Sequence, residues 1–156
     1  MIEVRRAQVE DLPPCLDMTE RFHAASPIAK IAPFDKDGMT ATLRAMFQDD
    51  RSGVWLALRD GQPIGIAGAL LYPLYFSPAH NVAQELFWWL DPAARGCGAG
   101  KSLFQSVQNW AKDKGAAAVF MIALDDNRVS KTDKFYRRAG FEPLERTYVR
   151  GSQSWQ

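Results

Sequence analysis

Three glycines within Arg95-Gly96-Cys97-Gly98-Ala99-Gly100-Lys101-Ser102 separate an apolar, aromatic run from a stretch with helical spacing. The run before them is Glu85-Leu86-Phe87-Trp88-Trp89-Leu90, closed by Asp91-Pro92. After them Leu103, Phe104, Val107, Trp110 and Ala111 recur as one face of a helix does. The chain is therefore expected to pass from a strand through a tight glycine turn into a helix. At such a helix start the first backbone N–H groups lack partners within the helix and converge on one point. A phosphate or pyrophosphate suits that point, because glycine admits close approach and the helix dipole adds attraction.

Two known loops hold phosphates in this way. The P-loop of nucleotide hydrolases reads G-x-x-x-x-G-K-[ST]. Gly100-Lys101-Ser102 matches its end, but Arg95 stands where its first glycine belongs, and a bulky side chain there obstructs the phosphate-wrapping turn. Val119 to Asp125 would supply the apolar strand and acid that such a protein uses for magnesium. The other pattern is [R/Q]-x-x-G-x-[G/A], and Arg95, Gly98 and Gly100 fill its fixed positions. Downstream, Phe135-Tyr136-Arg137-Arg138-Ala139-Gly140-Phe141 matches a second pattern, F-Y-x-x-x-G-F, one helix and one strand further on. In these two motifs the chain resembles the GCN5-related N-acetyltransferases, the GNAT family, over most of its length.

At 156 residues a single domain spanning 1–156 is expected, large enough for a substantial core. A net charge of +1 gives no whole-surface basic field for nucleic acid. Cys15 and Cys97 lie far apart without metal-ligand spacing, and His23 and His80 are equally isolated, so no metal site is expected. The chain opens on no signal peptide and contains no apolar run of membrane-spanning length. A soluble cytoplasmic protein with reduced thiols is the expectation.

Ile2 to Arg5 alternates as a half-buried strand does, and Asp11 is the expected cap of a helix carrying Leu12, Cys15, Leu16, Thr19 and Phe22. Ser26-Pro27 ends it, and Met39, Leu43, Met46 and Phe47 mark a second helix. Val54 to Leu58 and Ile64 to Tyr75 read as strands joined through Asp60-Gly61, the longer one bent or bulged at its glycines and Pro73. The strand to Leu90, the glycine turn and the helix to Lys114 follow. A buried strand over Ala117 to Leu124, a short helix over Thr132 to Ala139 and an extended Phe141 to Arg150 complete the pattern. The order β-α-α-β-β-β-α-β-α-β is that of the GNAT fold, an α/β (α+β) mixed sheet with helices on both faces.

The resemblance implies an N-acetyltransferase that moves the acetyl group of acetyl-CoA, its co-substrate, to a primary amine. It implies a central sheet that splays beside the strand before the loop. Gly96, Cys97, Gly98, Ala99, Gly100 and Lys101 would then hold the pyrophosphate through their amides, with charge from Arg95 and Lys101 and a hydroxyl from Ser102. The backbone of Trp88, Trp89 and Leu90 would pair with the pantetheine arm. Tyr136 is the implied acid for the departing thiolate, and Glu85 the candidate base for the amine. A buried packing tyrosine and a solvated strand-end glutamate are the structural alternatives for those two. Cys97 reads as an inert loop residue. Lys131, Lys134, Arg137 and Arg138 form either a solvated face or part of a 3′-phosphate site.

The chain departs from the family where an asparagine is usual seven residues before the motif tyrosine. Val129 stands there, and Asn127 is the candidate to make that contact. The chain also ends sixteen residues after Gly140, so the usual last two strands are abbreviated, and a homodimer would complete the acceptor side. The acceptor groove is expected near Arg21 to Phe34, Tyr72 to Phe76 and Arg146 to Tyr148, with His23, Tyr75 and Tyr148 as polar contacts. A P-loop-like nucleotide-binding protein and a degenerate acyl-CoA-binding protein are the alternatives.

Overall fold

Asp60 and Gly61 take positive φ angles of 50° and 80°, the backbone of a two-residue hairpin turn whose twist suits antiparallel strands. They join β2 (Ser52–Arg59) to β3 (Gln62–Leu74) in the computed structural model, which describes residues 1–152. The remaining strands are β1 (Ile2–Arg6), β4 (Ser77–Leu90) and β5 (Ala118–Phe120), and the helices are α1 (Leu12–Ala25), α2 (Lys36–Gln48), α3 (Ala99–Asp113) and α4 (Val129–Arg138). The sheet runs β1-β2-β3-β4-β5, antiparallel throughout except for the parallel β4–β5 pair.

Each face of this sheet is closed by helices with apolar stripes of the right period. Leu103, Val107 and Ala111 of α3 pack on Trp55, Ala57, Ala67 and Ala69. Opposite them, Cys15 and Met18 of α1 and Leu43 and Met46 of α2 cover Val54, Leu56, Ile66 and Phe87. Small residues at Ala57, Ala67, Ala69 and Ala83 let α3 lie close to the strands. The buried thiol of Cys15 is pushed up to about 12 by desolvation, so it is a core side chain and not a nucleophile. No described helix is long and apolar enough to cross a membrane.

Four expectations need correction. Asp11 holds the expected N-cap position of α1, but its side chain makes no capping bond; it pairs bidentately with Arg5 at 2.7 and 2.8 Å and accepts the Gln8 N–H. The strand before the loop runs Ser77–Leu90, so Glu85 lies inside it, buried, and is not a solvated strand-end glutamate. The strand expected over Ala117 to Leu124 is only Ala118–Phe120. The extended segment expected after α4 forms no strand: 141–150 is irregular, and Leu144 and Tyr148 are 72% and 85% exposed. Pro143 lacks a donor, and the four charged side chains at Glu142, Glu145, Arg146 and Arg150 break any apolar alternation, so that segment has little to bury.

Candidate functional site

β5 follows β4 for three residue pairs, Val82–Ala118, Ala83–Val119 and Gln84–Phe120, and then turns away. The peptide groups of Ile122, which would continue the ladder, are taken by two side chains instead. Glu85 Oε2 accepts the Ile122 N–H at 3.0 Å, and the Tyr136 hydroxyl donates to the Ile122 carbonyl at 2.9 Å. Beyond this wedge a cavity of about 720 Å³ opens beside the end of β4.

One wall is β4 itself, from Glu85 and Leu86 to Trp88, Trp89 and Leu90. The glycine loop closes one end through Arg95, Gly96, Gly98, Gly100 and Lys101. Gly96 and Gly98 have φ near +90°, with open space where a Cβ would be, so backbone conformation and not crowding calls for glycine. Gly98 begins α3 without a side-chain cap, and the first helical bond is Ser102 N–H to Gly98 O at 3.1 Å. The Ala99, Gly100 and Lys101 amides therefore have no intrahelical acceptor. Trp88 Nε1–H donates to Gly100 O at 3.1 Å and Arg95 Nε–H to Leu90 O at 3.2 Å, which fasten the loop to β4. The Arg95 guanidinium lies 5.0 Å over the Trp89 ring. Its pKa is held below the usual arginine range, first by burial and then by the Arg128 charge, with Asp126 and Asp91 pulling the other way.

Glu85 is 3% exposed, and burial pushes its carboxyl up to about 7 against the pull of the Ile122 amide. Its placement depends on a bulge. Gly68 pairs with Phe87 and Ala69 with Glu85, so Leu86 has no partner and the alternation along β4 slips by one. Phe87 and Trp89 then face α1 and α2, whereas Glu85 shares the side of Ala69, towards α3. Tyr136 is buried, with its ring against Trp88 and Phe104. Its phenol is pushed well up, first by desolvation and then by the Glu85 charge. It lies behind the cavity wall, and its neighbour Phe135 forms part of that wall.

The other expected residues divide. Asn127 lines the cavity, but Cys97 is exposed on the loop, Ala99 is fully buried, and the Ser102 hydroxyl turns back to Gly98 O at 3.4 Å. The Cys97 thiol is shifted down, first by the Ala99 amide and next by Arg59. Lys131 lines the cavity, while Arg137 is paired with Asp133. Tyr75 leans on Phe76, tilted by 39°, at the exposed hairpin end, and neither it nor Tyr148 lines this cavity. Missed by sequence reading were Arg128 and the cavity-lining role of Phe135. Arg128 had a readable signal, since Asp126 Oδ1 accepts its backbone N–H at 2.7 Å in a short Asp-x-Arg turn. Among the described residues no cluster of His, Cys, Asp and Glu is arranged to hold a metal ion.

Comparison with known proteins matches the acetyltransferase (GNAT) family over residues 16–141. Aminoglycoside N(6′)-acetyltransferase type 1 of Stenotrophomonas maltophilia is 28% identical over 117 residues, 72% of this chain and 74% of that protein. The structure of AAC(6′)-Iy with the bisubstrate analogue CoA-S-monomethyl-acetylneamine aligns with a TM-score of 0.78 at 20% identity, covering 96% of this chain and 97% of the other. A ribosomal-protein-alanine N-acetyltransferase from Brucella melitensis biovar Abortus 2308 aligns at 0.73 and 15% identity, over 95% and 96%. These two structural likenesses are likenesses of fold.

Proposed function

The chain belongs to the acetyltransferase (GNAT) family and is an acetyl-CoA-dependent N-acetyltransferase; on that premise we propose that it acetylates a primary amine by direct attack in a ternary complex. The observation that carries this reading is the continuous path from the buried Glu85, along the β4 edge that β5 leaves, to the uncapped N-terminus of α3. Acetyl-CoA supplies an acetyl group activated as a thioester. The amides of Gly96 to Lys101 suit its pyrophosphate, with Arg95 and Lys101 adding charge. Arg128 and Lys131 extend the basic wall, and Asn127 faces the same space. On the side that β5 leaves, the Trp88 backbone and the Leu90 N–H suit the pantetheine amides, while the Leu90 carbonyl already accepts from Arg95.

Glu85 accepts a proton from the amine, which bonds to the acetyl carbon as the carbon–sulfur bond breaks. Its pKa of about 7 suits a base that must be ionised, yet reprotonated readily, near neutral pH. Tyr136, kept neutral by burial, turns from Ile122 O into the cavity to give its phenol proton to the leaving sulfur. The proton taken by Glu85 then returns to the phenolate. A one-domain organisation over 1–156, a homodimer that completes the acceptor side and a cytoplasmic location belong to the same proposal.

Calorimetry should give acetyl-CoA binding of micromolar order and no signal with ATP-magnesium; the opposite result would remove the acetyl-transfer reading. Tyr136→Phe keeps the ring stack and removes the donor, so kcat should fall roughly 10²-fold or more with acetyl-CoA affinity little changed. Stability should drop by about 1 kcal/mol as Ile122 O loses its partner. Full activity in this variant would assign the phenol to holding Ile122 alone.

A further inference from the structure

A second cleft of about 450 Å³ lies between α1 and α2 and runs into the first, since Phe22, Ser26 and Ile28 line both. Its apolar surface comes from Pro33, Phe34, Met39 and Phe87. The Phe87 ring lies across Gly68, where a Cβ would come within 2.2 Å of Phe87 Cζ. Every hydroxyl lining the cleft has its proton on a backbone carbonyl: Thr19 on Leu16 at 2.9 Å, Ser26 on His23 at 3.0 Å, Thr42 on Gly38 at 3.0 Å. His23 Nε2 is 3.0 Å from Ala32 O, and its ring leans on Phe34 with centroids 5.5 Å apart. Among the described residues the cleft has one carboxylate, Asp35, and that group caps α2 by accepting the Gly38 N–H at 2.9 Å. Nearby, Asp17 and Asp91 are both paired with Arg21.

We infer that the acceptor is a monoamine with an apolar body, aromatic or branched, seated in this second cleft with its amine reaching Glu85 in the first. The inference rests on the acetyl-transfer reading above and adds the chemical class of the acceptor. A polycationic aminosugar brings several ammonium and hydroxyl groups, and each one buried without a partner lowers affinity by roughly tenfold or more. Among the described residues Asp35 is the one carboxylate in the cleft to meet several ammonium charges, and the three hydroxyl oxygens offer only neutral acceptors. An apolar body needs no such partner, and each methylene removed from water raises affinity about fourfold. Among the described residues two acids line the first cavity: Asp126, held by the Arg128 N–H, and Glu85, whose one carboxyl matches one reacting amine.

Thiol release from acetyl-CoA tests this with propylamine, butylamine, 2-phenylethylamine and kanamycin as acceptors. kcat/KM should climb about fourfold per added methylene, and 2-phenylethylamine should exceed kanamycin by on the order of 10²-fold. Phe34→Ala, on the loop before α2, should raise KM for 2-phenylethylamine about tenfold and leave acetyl-CoA affinity by calorimetry unchanged. Thr42→Trp, from an exposed position of α2, should fill the cleft with the same effect. Kanamycin turned over as well as 2-phenylethylamine would overturn the inference while leaving acetyl transfer intact, and so would a flat amine series with both variants behaving as wild type. Acetyl-CoA binding without turnover of any amine would instead remove the acetyl-transfer reading, and this inference with it.

Discussion

Gly98→Asp should abolish measurable acetyl-CoA binding, weakening it by on the order of 10³-fold, in a protein that still folds. Gly98 sits at φ +91° with nothing within 4 Å of the place a Cβ would take, so the new side chain meets no wall. Aspartate is also among the residues that enter the left-handed region at least cost. In the free protein its carboxylate sits well at a helix start. Against a pyrophosphate, two unit charges about 4 Å apart near a protein surface repel by about 4 kcal/mol, which is about three decades in affinity. Gly98→Ala has the backbone strain without the charge and should lose about tenfold at most. Calorimetry on both variants, with circular dichroism to confirm the fold, separates the two causes. Unchanged affinity in folded Gly98→Asp would move the phosphate site elsewhere.

The second large effect is expected at Glu85. Glu85→Gln keeps an oxygen to accept the Ile122 N–H and removes the base, so kcat/KM should fall roughly 10²- to 10⁴-fold. In the wild type kcat/KM should rise as pH passes about 7, and the variant should lack that limb. Stability should move the opposite way. A carboxyl held near 7 in the native state binds its proton more tightly there than in the unfolded chain. The stability this confers is fully present below the ordinary carboxylate range and is lost as pH rises towards 7. The loss is at most about 3 kcal/mol, or roughly 6–12 °C in Tm for a chain of this size. Thermal melts between about pH 4.5 and 8 should show Glu85→Gln gaining on the wild type across that window. Parallel melting curves would mean that Glu85 is solvated in solution and keeps an ordinary pKa.

What the sequence made legible was chemistry written within a few residues. The Asp60-Gly61 turn, the glycine loop and the apolar face of α3 depend on φ preference and helical period, and each stands where those preferences put it. The sequence names Glu85 but not the face it takes, because the bulge that decides this arises from Phe87 packing across Gly68 on another strand. A motif marks Tyr136, but its partner, the Ile122 carbonyl, exists only because β5 departs from β4. The expected last strand is absent for the same kind of reason: an extended segment becomes a strand only when a neighbouring edge accepts it. The second cleft runs along the Arg21 to Phe34 stretch that the family resemblance pointed to, but its shape belongs to the spacing of α1 from α2 and is not readable from either helix alone.

Leu86 gives β4 the property of a text with two reading frames. Up to Glu85 the odd-numbered positions, Ala83 among them, address α3; from Trp88 onward the even-numbered ones do. A substitution along β4 edits one letter. A change of length at Leu86 would shift every letter on one side of it, exchanging Phe87 and Trp89 for Trp88 and Leu90 across the sheet, or carrying Glu85 to the wrong surface. The hairpin end at Tyr75 and Phe76 carries no such frame, since both side chains stand in solvent. Drift in length can therefore gather at that tip, while the residue count between the acid and the glycine loop is held by the arithmetic of the pleat.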